Sequence, residues 1–210
     1  MIERRHLREQ LGELIRERIV HQRLPANQSV GEVALAEELG VSRTPVRETL
    51  LGLERDGFVK AVPGRGFVVQ PLSADEARQL YPIVWALEKL AVEAIGQAST
   101  ALIAELRAIN AALARAASPQ ERTLRDSEWH RRLISAGHNP RLTAMLAGVK
   151  AGIARYEHAF LDDTKRRGNS VDEHEEIVRL LERDPALAAG AIEAHWRRGL
   201  GIVLAAIAER

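Results

Sequence analysis

Between Val33 and Gly57 the chain reads VALAEELG, a single Val41, then SRTPVRETLLGLERDG. Both stretches have helical apolar spacing, and the first closes on Gly40, a residue suited to the left-handed backbone that ends a helix. In the second, Ser42 or Thr44 can cap, Pro45 is tolerated in the first turn, and Val46, Leu50 and Leu53 form a stripe that runs out at Gly57. With one residue left for the connection, the two helices must turn sharply on each other, which is a helix-turn-helix. Upstream, Leu7, Leu11, Leu14, Ile15 and Ile19 predict a further amphipathic helix from Arg4 to Val20, broken by LPANQS. Downstream, FVKAVPGRGFVVQ (residues 58–70) sets two runs rich in Val and Phe around Pro63, Gly64 and Gly66, the pattern of a β-hairpin with a glycine-rich tip. The hairpin makes the helix-turn-helix winged.

Beyond PLSADEA, where Ser73 and Glu76 suggest a capping box, every segment reads helical: about 76–97, 100–117, 119–136, 139–161, 170–183 and 185–208. The expected fold is mainly α, with a winged helix-turn-helix over 1–70, a linker over 71–75 and an all-α helical bundle over 76–210. A length of 210 residues accommodates two small domains of this kind. Cysteine is absent, so disulfides and thiolate chemistry are excluded and any metal must rest on imidazole and carboxylate. No apolar run reaches membrane-spanning length and the N-terminus MIERRHLREQ is charged, so a cytoplasmic protein without membrane association is expected.

A net charge of +1 gives no global basic excess, so any nucleic-acid signal must be local. Arg43 and Arg47 are four residues apart at the start of the third helix and project from one face, where a recognition helix meets base edges and phosphates. The planar arginine fork can donate twice to guanine O6 and N7. Thr44 and the helix's own N-terminal amides suit phosphate, and Arg65, flanked by glycines at the hairpin tip, has room to reach a minor groove or the backbone. Each feature taken singly is common on protein surfaces; their order along the chain is the signal.

In the C-terminal half, Asp126 and His130 of DSEWH are four apart and share a helix face, His174 lies near the start of another helix in SVDEHEEI, and His195 lies in the last helix in AIEAHWRR. Three packed helices can bring one carboxylate and three imidazoles to a point, a set suited to a first-row divalent cation. Chance alone often assembles such a list from seven histidines, and His6, His21, His138 and His158 are the background.

VALAEELGVSRTPVRETLLGLERDGFVKAVPGRGFVV resembles the winged helix-turn-helix of the GntR family of bacterial transcription regulators, over about residues 8–70. The resemblance places Arg43, Thr44, Arg47, Arg65 and Gly66 on DNA-contacting positions, and Val33 where many members carry a basic residue. DSEWHRRLISAGHNPRL, SVDEHEEIVRLLERD and ALAAGAIEAHW are similar to the helical effector domain of the FadR branch, in which one Asp and three His hold a metal. Asp126, His130, His174 and His195 fall on those positions, which implies a divalent ion, zinc first, with nickel or manganese as alternatives. Val84 occupies the position of an arginine that in many such domains pairs with an organic acid. The remaining effector-binding candidates are Tyr81 and Arg155, with Trp85 a further aromatic that can line a pocket.

The resulting expectation is a non-enzymatic, ligand-responsive regulator binding double-stranded operator DNA as a homodimer and sensing a small metabolite at the metal. Two rival expectations are a purely structural metal and a metal-dependent hydrolase or lyase, for which only Glu173 and Glu175, beside His174, offer a general base.

Overall fold

The computed structural model describes residues 2–157, 159 and 170–209. They fall into two compact units, Met1–Leu72 and Ser73–Arg210.

The first unit contains α1 (Ile2–Val20), β1 (Ser29–Val30), α2 (Glu32–Glu38), α3 (Arg43–Arg55), β2 (Val59–Val62) and β3 (Gly66–Val69). The α2–α3 turn is built by Gly40, whose φ of +65° lets Val41 N donate to Ala36 O and Gly40 N donate to Glu37 O, closing the end of α2. Ser42 stands at the N-cap of α3 with no side-chain capping bond, so the first amides of that helix are not spent on its own cap. Leu11, Ile15 and Ile19 of α1, Leu35 of α2, and Val46, Leu50 and Leu53 of α3 are buried together with Phe58, Phe67 and Val69. This is the core that the three-and-four spacing anticipates. Among the described residues the sheet has the antiparallel order β1-β3-β2, with Lys60 opposite Val68 and Ser29 opposite Val68 on the other side. The two-residue β1 is absent from the sequence expectation.

The second unit packs α4 (Ala74–Glu93), α5 (Thr100–Arg115), α6 (Pro119–Ser135), α7 (Pro140–Tyr156), α8 (Ser170–Leu181) and α9 (Pro185–Ala208). Each of α4, α5, α6, α7 and α9 starts from a side-chain cap, respectively Ser73, Ser99, Ser118, Asn139 and Asp184. The cap at Ser73 is half of the expected box. Its Oγ accepts from Glu76 N at 3.1 Å, but the Glu76 carboxylate bonds Tyr156 Oη instead of returning to Ser73 N, which itself donates to Tyr156 Oη at 3.2 Å. The buried face of α4 runs through Ala77, Tyr81, Val84, Glu88, Ala91 and Val92 and packs chiefly on α9 and α7. The end of the expected 139–161 helix, His158 and the stretch between that helix and the expected 170–183 helix lie outside the described residues.

Candidate metal centre and nucleic-acid interface

In the first unit, Arg43, Thr44 and Arg47 are all exposed on the opening turns of α3. Arg47 Nη1 donates to Glu32 Oε1, at the start of α2, at 3.2 Å. Arg65 is exposed at the hairpin tip, where its Nη2 donates to Asn27 O at 3.1 Å. Gly64 and Gly66 on either side have φ of +74° and +71°, the left-handed backbone that makes so tight a tip possible. Val33 is 47% exposed, so an apolar side chain stands on the surface beside this helix pair.

In the second unit, α6 contributes Asp126 and His130, α8 contributes His174 and α9 contributes His195. One ring nitrogen from each of the three histidines lies within 4.8 Å of the others. Asp126 joins them, with Oδ2 3.9 Å from His130 Nε2 and Oδ1 3.8 Å from His174 Nε2, too far for hydrogen bonds. The structure therefore brings the three histidines singled out for metal binding together, with Asp126 beside two of them. His138, by contrast, sits after α6 with φ +50° and takes no part.

The second side of each ring explains its orientation. His130 Nδ1 is 2.8 Å from Glu88 Oε2, and His195 Nδ1 is 2.6 Å from Glu173 Oε2. His174 lies flat on Trp129. His130 Nε2 and both nitrogens of His174 are buried with no hydrogen-bond partner among the described residues. Leaving such atoms unpaired is unfavourable by about 1–3 kcal/mol each unless something accepts their lone pairs. Burial lowers the pKa of His130, against the opposing pull of Glu88, and lowers that of His174 further, with the neighbouring histidines adding to it. Both rings are thus neutral at pH 7 and present lone pairs, as a metal ligand must. The donor set fits a borderline divalent cation.

Two carboxylates complete the arrangement. Glu88 is fully buried. Burial alone would raise its pKa, yet it is held well below the usual carboxylate range, first by the neighbouring His130 ring and then by the Lys150 ammonium at 2.6 Å, both of which also hydrogen-bond it. Trp196 Nε1 donates to the same carboxylate at 2.8 Å. Glu173 is shared between His195 and Arg198, whose Nε donates to it at 2.6 Å. Glu175 instead pairs with Arg107 on the surface. Neither glutamate flanking His174 is therefore held as a free base over the cluster.

A cavity of about 130 Å³ opens beside the histidines, lined by residues that include Tyr81, Asp126, Glu173, His195, Trp196 and Arg198. The Tyr81 hydroxyl is buried without a partner among the described residues, and burial pushes its pKa well up, so it remains a donor. Arg155 is 4% exposed, 3.8 Å from Glu76, and is not among the lining residues. Trp85 does not line the cavity either; the Arg197 guanidinium stacks 4.5 Å over its ring. Val84 is fully buried in the α4 face. Among the described residues the arginine at the cavity wall is Arg198, which the sequence reading did not single out.

A helix-turn-helix with a wing serves to hold one helix against duplex DNA, and a bundle with a mostly apolar cavity edged by a few polar groups is suited to a small ligand. Together they define a DNA-binding regulator with an effector module. Residues 7–69 match the model for bacterial regulatory proteins of the gntR family, and residues 79–198 match the FCD domain. The Nta operon transcriptional regulator of Aminobacter aminovorans is 31% identical over 86% of this chain and 88% of its own length. An HTH-type transcriptional regulator of Bacillus subtilis (strain 168), YdhC, is 32% identical over 57% of this chain, a match spanning only 56% of that protein. Among solved structures, E. coli McbR/YncC superposes with a TM-score of 0.79 at 19% identity, covering 96% of this chain and 98% of that one. The chain belongs to the GntR family of bacterial transcription regulators and carries an FCD effector domain. Its relatives are transcriptional regulators and not enzymes. Among the described residues, no helix is long and apolar enough to cross a membrane.

Proposed function

We propose that this protein is a ligand-responsive regulator of the FadR branch, acting in the cytoplasm as a homodimer on a short operator of near two-fold symmetry. A single recognition helix offers few base contacts, and two-fold protein symmetry matches a palindrome. Arg43, Thr44, Arg47, Arg65 and Gly66 form the DNA-contacting set. Asp126, His130, His174 and His195 hold a divalent ion, zinc in preference to nickel or manganese, which supplies a Lewis-acidic centre able to take an anionic ligand. The effector is a small organic acid. Because Val84 places no charge on α4 at the relevant position, its carboxylate pairs with Arg198 at the cavity wall, and Tyr81 donates a hydrogen bond to it.

The observation that carries this reading is the set of buried imidazole nitrogens, unpartnered among the described residues, that converge near Asp126 beside a cavity. Elemental analysis of purified protein tests it: about one divalent ion per chain is expected, by the ligand count of a single site. The double variant His174→Ala/His195→Ala should hold none. A metal-free wild type that zinc, nickel and manganese all fail to load contradicts the reading.

A further inference from the structure

We infer that Glu88 is the positioning residue of the histidine cluster, fixing His130 in the tautomer that turns a bare Nε2 toward Asp126 and His174. The inference rests on the metal reading above and assigns a role to a residue outside the ligand set.

Glu88, on α4, is bonded from three other helices at once. Its Oε1 takes Lys150 Nζ of α7 at 2.6 Å, while its Oε2 takes both His130 Nδ1 of α6 and Trp196 Nε1 of α9 at 2.8 Å. An indole N–H only donates and a charge-paired carboxylate only accepts. Oε2 is therefore an acceptor in both bonds, and His130 Nδ1 must carry the hydrogen. The lone pair is left on Nε2, the atom that is buried, without a partner among the described residues, and 3.9 Å from Asp126 Oδ2. A free imidazole in water favours the opposite tautomer, so the choice is imposed by the fold.

The three histidines are not held alike. Glu173 grips His195 Nδ1 in the same way, but it stands at the cavity wall and is shared with the half-exposed Arg198. Among the described residues no carboxylate hydrogen-bonds His174, which depends on its stack with Trp129. Only the Glu88 contact is fully enclosed, and the same carboxylate also fixes Trp196, the neighbour of His195 on α9. Lys150, packed 5.0 Å over the Trp196 ring, supplies the charge that makes a buried carboxylate tolerable there. A carboxylate behind a ligating imidazole raises its basicity, and losing such a partner weakens metal binding by about 10- to 100-fold.

Two measurements test this. In metal-stripped wild type, nitrogen NMR of histidine-labelled protein near pH 7 should show His130 with hydrogen on Nδ1; hydrogen on Nε2 overturns the inference without any variant. The double variant Glu88→Gln/Lys150→Met keeps the shape and one acceptor oxygen but removes both charges of the pair. Zinc titration against a chelator should show about 10- to 100-fold weaker binding than wild type, while thermal unfolding of the metal-free protein stays near the wild-type midpoint. Unchanged zinc affinity overturns the role, as does a loss of affinity that only follows a collapse of metal-free stability. A wild type that takes up no zinc is visible before any variant is made; it contradicts the metal reading itself, and the positioning role falls with it.

Discussion

The His174 ring lies parallel to the Trp129 indole, with centroids 3.8 Å apart and planes 1° from coplanar orientation. With no hydrogen bond on either nitrogen among the described residues, the stack is what fixes the plane of this imidazole. Trp129 is itself fully buried. Trp129→Phe, which keeps a flat apolar surface, should retain zinc binding. Trp129→Ala should lose about 3–5 kcal/mol of stability and bind zinc more weakly. Denaturant unfolding and zinc titration of the two variants check this, and equal behaviour would show the stack to be incidental.

Gly137 is where α6 ends against α4. A Cβ there would stand 2.6 Å from the Ala91 carbonyl oxygen, a backbone atom with no side-chain freedom to yield. Gly137→Ala should destabilise the bundle by roughly 1–3 kcal/mol, as overpacking does. Chemical denaturation reads this directly, and an unchanged midpoint would mean that the two segments separate at no cost.

On the DNA side, Arg47 is held by Glu32 in the free protein, through an exposed pair that contributes little to stability. Arg47→Ala should leave folding intact, weaken operator binding by about 1–3 kcal/mol and relax the preference at one base position. Mobility shifts on matched and mismatched duplexes would show it. Unchanged affinity and selectivity would remove Arg47 from base readout.

Arg65 should behave differently, because a wing arginine meets phosphate or groove potential. Arg65→Ala should weaken binding evenly across sequences and reduce the salt slope by about one counterion. A salt titration decides, and an unaltered slope would leave Arg65 as a turn residue pinned to Asn27.

What the sequence made legible follows from physics that acts locally. Gly40 needs only its own φ to mark the turn, and Leu7 to Ile19 announce α1 by spacing alone. The four metal candidates are named from i,i+4 spacing and resemblance, but of the carboxylates behind them Glu88 is not named and Glu173 is named only as a general base. Glu88 occupies a place in the α4 stripe between Val84 and Ala91 where an apolar residue is expected. Read alone, a glutamate there looks like a break in the pattern, and its partners His130, Lys150 and Trp196 lie 42 to 108 positions away. A charged residue in phase with a buried stripe was the available signal. Glu76 shows the same limit: Ser73 and Glu76 have capping-box spacing, yet Tyr156, 80 positions on, takes the carboxylate. β1 is too short for Ser29 and Val30 to display any alternation. Arg198 stands beside Arg197 in α9, and only the fold separates the one that lines a cavity from the one that covers Trp85.

The central claim is that a small acid bound at the histidine cluster changes operator affinity. Reciprocal linkage requires such an acid to bind the free and DNA-bound protein unequally, typically by about 1–3 kcal/mol. The direct measurement is an operator titration, on a duplex selected from random sequence by the wild-type protein, with and without candidate acids, for wild type and His130→Ala. An acid should shift wild-type affinity by about 5- to 150-fold and leave His130→Ala unmoved, while the variant still binds the operator through α3 and the wing. A full acid response in His130→Ala would contradict the claim and leave the metal a structural role, and so would a variant that loses folding and DNA binding together.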